Sequence, residues 1–227
     1  MKRKYFISGT DTDAGKTFVS VALLNAFAQQ GHSTLGLKPL AAGSELLNGE
    51  EKNDDAVNLA NASTVKLSYQ QTNPVLLKAP MAPHIAAQRE NKRLSSQQLV
   101  GFVRGTLMSA NAALTLVEGA GGWRVPLNNR ETLADVVKAL NLDVILVVGM
   151  KLGCLNHAIL TMEAIERDGL KVAGWIANCI DPEMDGLEEN IQTLQQYLRA
   201  PLIGVMPFSE KLSDIPSDWL NPKFLDL

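Results

Sequence analysis

At 227 residues, with 46% apolar side chains, 20% charged ones and a net charge of −3, the chain can fill one sizeable core as a single domain over residues 1–227. Slight acidity without a long run of one sign argues against non-specific nucleic-acid binding and for a protein that handles small molecules. No stretch approaches the roughly 20 apolar residues of a membrane span, and the apolar run behind the basic start stops at Ser8-Gly9 with no signal-peptide core.

A first strand is expected over Tyr5–Ser8. It runs into Gly9-Thr-Asp-Thr-Asp-Ala-Gly-Lys-Thr17 and then a helix over Lys16–Gln30 with Val19, Leu23, Ala26 and Phe27 on one face. Strand, glycine-rich loop and helix in that order make a phosphate site. Gly15 lets the backbone approach, and unpaired N–H groups at the helix start face the anion. Lys16 can reach the β and γ oxygens, and the Thr17 hydroxyl can ligate Mg²⁺. Five residues rather than four separate the two glycines, so the loop is a variant. It also carries Asp11 and Asp13, whose carboxylates can turn away from a cradle made of main-chain N–H groups.

The second strand, Thr34–Lys38, ends in Lys38-Pro39. Lys38 therefore leaves the sheet on the side of the phosphate loop, as a candidate second cation for a phosphoryl group or an anionic substrate. "KNDDAVNLA" opens a helix over Asp54–Asn61; Asp54 and Asp55 are both candidates for a metal ligand and both suited to a helix start. Thr72–Arg93, with Pro74, Pro80 and Pro83, reads as a long surface excursion. A helix over Ser96–Ser109 leads to the strand Leu114–Glu118, which ends in a carboxylate followed by Gly119, Gly121 and Gly122. Glu118 is placed there to ligate Mg²⁺.

A helix over Leu133–Leu140, a strand over Val144–Gly149, a helix over Asn156–Asp168, a strand over Val172–Asn178, a helix over Leu187–Leu198 and a strand over Leu202–Val205 complete the series. "VILVVG" is continuously apolar, as befits a strand covered on both faces. The alternation predicts an α/β fold, a mostly parallel sheet with helices on both faces and ligands at the carboxyl ends of its strands, and the phosphate loop behind the first strand makes it P-loop NTPase-like.

The Asn-Lys-x-Asp motif that reads guanine is missing: Asn178 stands without the lysine, which favours ATP and makes Asn178 a candidate adenine reader. His32, His84 and His157 have no metal-ligand spacing and read as solvated or packed side chains. Trp123 reads as core more readily than as a ligand cover. Cys154 and Cys179 lack CxxC spacing, in keeping with reduced, buried thiols in a cytoplasmic protein.

Together these pieces resemble the dethiobiotin synthetase family. "GTDTDAGKT", "KPLAAGSE", "NDDA", "NPVLLKAPMAPH", "VEGAGGW", "VGMKLGCLNHA", "GWIAN" and "GVMPF" occur in family order over about positions 5 to 210. The resemblance implies a cytoplasmic homodimer that takes 7,8-diaminopelargonate, CO₂ or bicarbonate, and ATP with Mg²⁺, and that needs neither nucleic acid nor membrane. It implies a carbamate, transfer of the γ-phosphoryl to it, and ring closure by the second amine. By motif, Lys16 and Lys38 would be catalytic, and Thr17, Asp55 and Glu118 would hold Mg²⁺, which selects Asp55 over Asp54. ATP would lie against Asp13, Ala14, Gly15, Lys16, Thr17 and Phe18, against Asp55, Glu118, Gly119, Ala120 and Gly121, and against Asn178, Met206, Pro207 and Phe208. Substrate would meet Thr12, Asp13, Lys38 and Ser44. Its carboxylate would meet a helix start formed by Leu152, Gly153, Cys154 and Asn156, supplied by the neighbouring subunit across the interface.

Many family members carry a hydroxyl residue where this chain has Ala42, so that contact passes to Ser44 or to the backbone, or is dispensable. No dedicated general base is evident, and Asp13 is the candidate for placing the amines. Chromosome- and septum-positioning ATPases of the same superfamily carry a second lysine near the start of the loop. This loop has only Lys16. Amidating ligases of the superfamily need a glutamine-hydrolysing domain, for which 227 residues leave little room.

Overall fold

The computed structural model describes residues 2–216 and 218–225. The first half runs β1 (Arg3–Gly9), α1 (Lys16–Gln29), β2 (Thr34–Leu37), β3 (Leu40–Ala42), β4 (Glu45–Leu47), β5 (Glu50–Lys52), α2 (Asp54–Ala62), α3 (Tyr69–Thr72), β6 (Val75–Leu77), α4 (Pro83–Arg89) and α5 (Ser96–Ser109). The second runs β7 (Leu114–Glu118), α6 (Leu133–Leu140), β8 (Asp143–Met150), α7 (Cys154–Arg167), β9 (Val172–Cys179), α8 (Leu187–Tyr197), β10 (Leu202–Met206) and α9 (Pro222–Leu225). No helix among the described residues is long and apolar enough to cross a membrane.

Six strands form one sheet in the order β10-β9-β8-β1-β7-β2, and every pairing in it is parallel. The P-loop-type fold read from the sequence is the fold observed. β1 lies where the strand order reverses, with β7 on one side and β8 on the other, and the crevice at its carboxyl end is where such sheets bind ligands. Successive side chains serve opposite faces. Phe6, Leu146 and Val148 join the core beneath α4 to α7, whereas Ile7, Ile145 and Val147 pack against α1.

α1 is apolar almost all round, since Val19, Val21, Ala22, Leu23, Leu24 and Phe27 are all buried. The sheet covers one side of it and α2 another. The chain's last described segment helps to cover the rest: Trp219 and Leu220 enter the same core, and the Phe224 ring packs on Phe27 and Tyr5.

Two expectations need correction. Lys38 lies just outside β2, in a turn whose N–H bonds the Thr72 carbonyl (2.9 Å) and whose carbonyl accepts from the Asn73 amide (2.6 Å). Thr72–Arg93 is not a surface excursion: β6 pairs with β3, Pro83 opens α4, and Val75, Leu77, Ala86 and Ala87 are buried. Proline at the first helical position costs no hydrogen bond, so here it starts a helix. The β4–β5 hairpin turns on Asn48 and Gly49, both at positive φ (53° and 83°), a pair that favours this tight turn.

Candidate active site

β1 ends at Gly9 and hands the chain to a loop that bends outward before α1 begins. The Asp11 carboxylate is engaged beside the loop: its Oδ1 accepts from the Thr12 N–H (2.8 Å) and its Oδ2 lies 3.4 Å from the Lys151 ammonium. Asp13 is exposed and takes a left-handed backbone (φ 61°), which Asp and Asn tolerate better than most residues. Gly15 caps α1 at φ 81° and brings no side chain to the helix start, so the N–H groups of that turn are left to an anion. Behind the loop, the buried Asn178 donates to the Ala14 carbonyl (2.9 Å) from the end of β9.

A Cβ at Gly15 would run into the Asn178 amide. Gly15→Ala is therefore expected to lose at least about 1–2 kcal/mol from its left-handed backbone alone, with a matching fall in ATP affinity. Urea unfolding and nucleotide titration measure both, and a variant that binds ATP like the parent would remove Gly15 from the cradle.

Four side chains converge beside the loop. The Lys38 ammonium bonds Glu118 Oε1 (2.6 Å), Asp55 Oδ2 (2.8 Å) and the Gly119 carbonyl (3.2 Å). The Thr17 hydroxyl donates to the same Glu118 Oε1 (2.7 Å). Sheet order causes this meeting, because β2 and β7 are neighbours and deliver Lys38 and Glu118 from the same edge. Asp55 arrives on the first turn of α2, whose N-cap is Asn53 and not either aspartate.

Burial works against a charge on Lys38, but the carboxylates of Glu118 and Asp55 outweigh it and raise the ammonium above its ordinary value. Burial also opposes the charge on Asp55, yet Lys38 and the Thr17 hydroxyl hold its carboxyl below the usual range. Both groups stay charged through the neutral range. Lys16 goes the other way: burial first, then the Lys38 charge, lower it. Its ammonium makes a 3.2 Å bond to the Asp11 carbonyl, and an arriving polyphosphate would be a stronger partner.

Glu118 Oε2 is buried and has no hydrogen-bond partner among the described residues. An orphaned carboxylate oxygen beside a second carboxylate and a threonine hydroxyl suits a hard dication. Two carboxylates and one hydroxyl leave a metal incompletely caged, and such a donor set fits Mg²⁺ completed by phosphate and water. A cavity of about 640 Å³ adjoins this point, lined by Thr12, Asp13, Gly15, Lys16, Thr17, Lys38, Ala120 and Gly121 and also by Pro80, Met81, Pro83, Val125 and Pro126. A second, of 580 Å³, meets it at Thr17, Phe18 and Asp55 and runs between Val21, Asn25, Asn58, Asn61 and Glu210.

Several expected residues lie elsewhere. Ser44 does not line the larger cavity, although Ala42 does, and its N–H is bonded to the Lys78 carbonyl (3.1 Å). Leu152, Gly153, Cys154 and Asn156 open α7 away from both cavities. Leu152 is 97% exposed, whereas the Cys154 thiol is buried and its N–H bonds the Lys151 carbonyl (2.9 Å). Gly119 packs so closely on Phe6 and the Ile7 carbonyl that a side chain would not fit. The Met206 side chain is wholly in the core; Pro207 is half-buried and Phe208 exposed. Trp123 is core, with its indole N–H on Asp168 (2.9 Å).

Sequence reasoning missed Arg124 and Asn53 in the wall of the larger cavity. Arg124 adjoins the glycine run that was singled out, but its carboxylate partner Asp168 (2.8 Å) is distant in sequence. Asn53 had a nearer signal, since Asn directly before a helix is a favoured cap.

A family model described as an AAA domain matches residues 3–216. The ATP-dependent dethiobiotin synthetase BioD of Cellvibrio japonicus is 55% identical over 206 residues, covering 91% of this chain and 90% of that one. Its counterpart in Marinobacter nauticus is 44% identical over 227 residues, 100% of this chain and 97% of its own. Among solved structures, the septum site-determining protein MinD of Pyrococcus horikoshii superposes with a TM-score of 0.57 at 19% identity, covering 98% and 90% of the two chains. A ParA family ATPase from Chlorobium tepidum gives 0.58 at 12% identity over 92% and 86%. At such low identities these two share the fold. Identity of the size found in the synthetases, held over nearly the full length of both partners, shows that the chain belongs to the family of ATP-dependent dethiobiotin synthetases.

Proposed function

We propose that the protein carboxylates 7,8-diaminopelargonate with CO₂ and closes the ureido ring of dethiobiotin, consuming ATP and releasing ADP and phosphate. The observation that carries this is the cluster of Lys16, Thr17, Lys38, Asp55 and Glu118 beside a cavity that Pro80, Met81, Pro83, Val125 and Pro126 also line. The charged cluster suits phosphoryl transfer, and the apolar lining suits an aliphatic chain.

One amine adds to CO₂ and loses a proton, giving a carbamate. A carbamate oxygen then attacks the γ-phosphorus, and the bond to ADP breaks. The second amine attacks the carbonyl carbon of the mixed carbamic-phosphoric anhydride, phosphate departs, and the nitrogen gives up its proton. Thr17, Asp55 and Glu118 would hold Mg²⁺, which would supply charge neutralisation on the phosphates. Lys16 holds the triphosphate with the loop amides, and Lys38 faces the transferring group and the carbamate. Phosphoryl transfer asks chiefly for positioning and charge, which this set provides. The base would lie against Asn178, Pro207 and Phe208, with Met206 serving the core behind them.

The protein works as a homodimer in which the start of α7 meets the substrate carboxylate in the neighbouring subunit's cavity. The exposure of Leu152, away from its own cavity, supports that arrangement. The test is phosphate release in the presence of diamine, bicarbonate, Mg²⁺ and ATP. Release must depend on the diamine; hydrolysis indifferent to it favours a nucleotide switch instead.

Asp13 lines the cavity, and its role there is to help place the cationic diamine. Asp13→Asn keeps a residue that accepts the left-handed backbone, so its effect reports the charge alone. The expected result is a KM for the diamine raised by about tenfold, in line with one charge-assisted hydrogen bond, with the KM for ATP little changed. Unaltered constants for both substrates would exclude Asp13 from that role.

A further inference from the structure

We propose that the Lys38 ammonium is a built-in stand-in for the metal: it holds the metal-binding carboxylates together in the free protein and leaves them when Mg²⁺ arrives with nucleotide. This inference rests on the metal assignment made above. Nζ of Lys38 lies 2.8 Å from Asp55 and 2.6 Å from Glu118, so it sits between two of the three ligands. The third, Thr17, donates to the Glu118 oxygen that Lys38 also holds. Mg²⁺ takes oxygens at about 2.0–2.1 Å, so an ion held by these three residues would lie against that ammonium. An ammonium and a dication at that separation repel strongly in a low-permittivity site, and together they would overload two carboxylates.

The displaced lysine has somewhere to go, because Lys38 is also part of the wall of the 640 Å³ cavity. Its remaining partner, the Gly119 carbonyl at 3.2 Å, is neutral and releases it readily. Two consequences follow. Without metal the carboxylates are pre-arranged rather than driven apart by their like charges. And the Lys38 ammonium becomes available to phosphoryl group and carbamate only after metal nucleotide is in place.

The test uses the whole protein and Mn²⁺ as a paramagnetic probe, without nucleotide. Lys38→Met is expected to bind Mn²⁺ at least about tenfold more tightly than the parent, since a competing unit charge is gone from the ligand set. Equal affinities overturn the proposal. Should that variant fail to fold, the parent protein gives the answer through acylation of its lysines followed by mass spectrometry. Lys38 is expected to react slowly with ADP and EDTA present and about tenfold faster with ADP and Mg²⁺, because a paired, buried amine is out of reach of the reagent. The same rate in both states overturns it.

The metal assignment fails separately. If Glu118→Gln leaves ADP affinity as responsive to Mg²⁺ as in the parent, the metal lies elsewhere. If that response vanishes while Lys38 reactivity in the parent ignores Mg²⁺, only the displacement is wrong.

Discussion

Lys38→Gln is expected to turn over about a hundred- to a thousandfold more slowly than the parent, the usual cost of removing one group that meets developing charge. ATP affinity should be kept or improved. The triphosphate is held by loop amides and by Lys16, neither of which the substitution touches, and the carboxylates lose their internal competitor for metal. Steady-state phosphate release separates the two effects when it is combined with nucleotide titration. Glutamine retains hydrogen-bonding capacity, so any loss reports charge rather than shape. Turnover within a few-fold of the parent would take Lys38 out of the chemistry.

Glu118→Gln should be the more damaging change, because one buried carboxylate serves three partners. It accepts from Thr17, it pairs with Lys38, and its second oxygen, without a partner among the described residues, is left for the metal. The side chain has no exposed surface, so water does not make good the loss. Breaking a buried pair from one side costs about 3–5 kcal/mol; Asp55 keeps part of the Lys38 charge neutralised and brings the expected destabilisation toward the lower end. Turnover should fall by at least the hundred- to thousandfold of a lost electrostatic group, and nucleotide affinity should become nearly the same with Mg²⁺ or EDTA. Urea unfolding and calorimetric titration under the two conditions read these separately. A stable variant with reduced turnover and an intact Mg²⁺ response would show that Glu118 acts on substrate and not through metal.

The long elements were legible because each repeats a local rule often enough to be seen. Leu114–Glu118, Ser96–Ser109 and Leu133–Leu140 have the bounds expected from their sequence. The three-residue strands β3 and β6 are too short for any periodicity to register, and they exist because Leu40 to Ala42 find Val75 to Leu77 across a long stretch of chain. The site divides in the same way. Gly15-Lys16-Thr17 is a local pattern, and Glu118 is announced by a strand followed by glycines. That Lys38, Asp55, Thr17 and Glu118 touch one another depends on β2 lying beside β7, which no spacing encodes. Asn178 shows the limit most plainly. Its place at a strand end suggested a reader of the base, and the structure adds a bond from its amide to the Ala14 carbonyl beneath the phosphate loop.

Residues Trp219, Leu220 and Phe224 complete the burial of α1, the helix whose start is the phosphate cradle. Synthesis proceeds from the N-terminus, so the cradle is made early and its apolar flank late. Until those aromatic residues have left the ribosome, a helix with almost no polar face stands partly uncovered. The nascent protein therefore passes through an interval in which its nucleotide site is written but not yet supported, and in which a chaperone would find in α1 an apolar surface to hold.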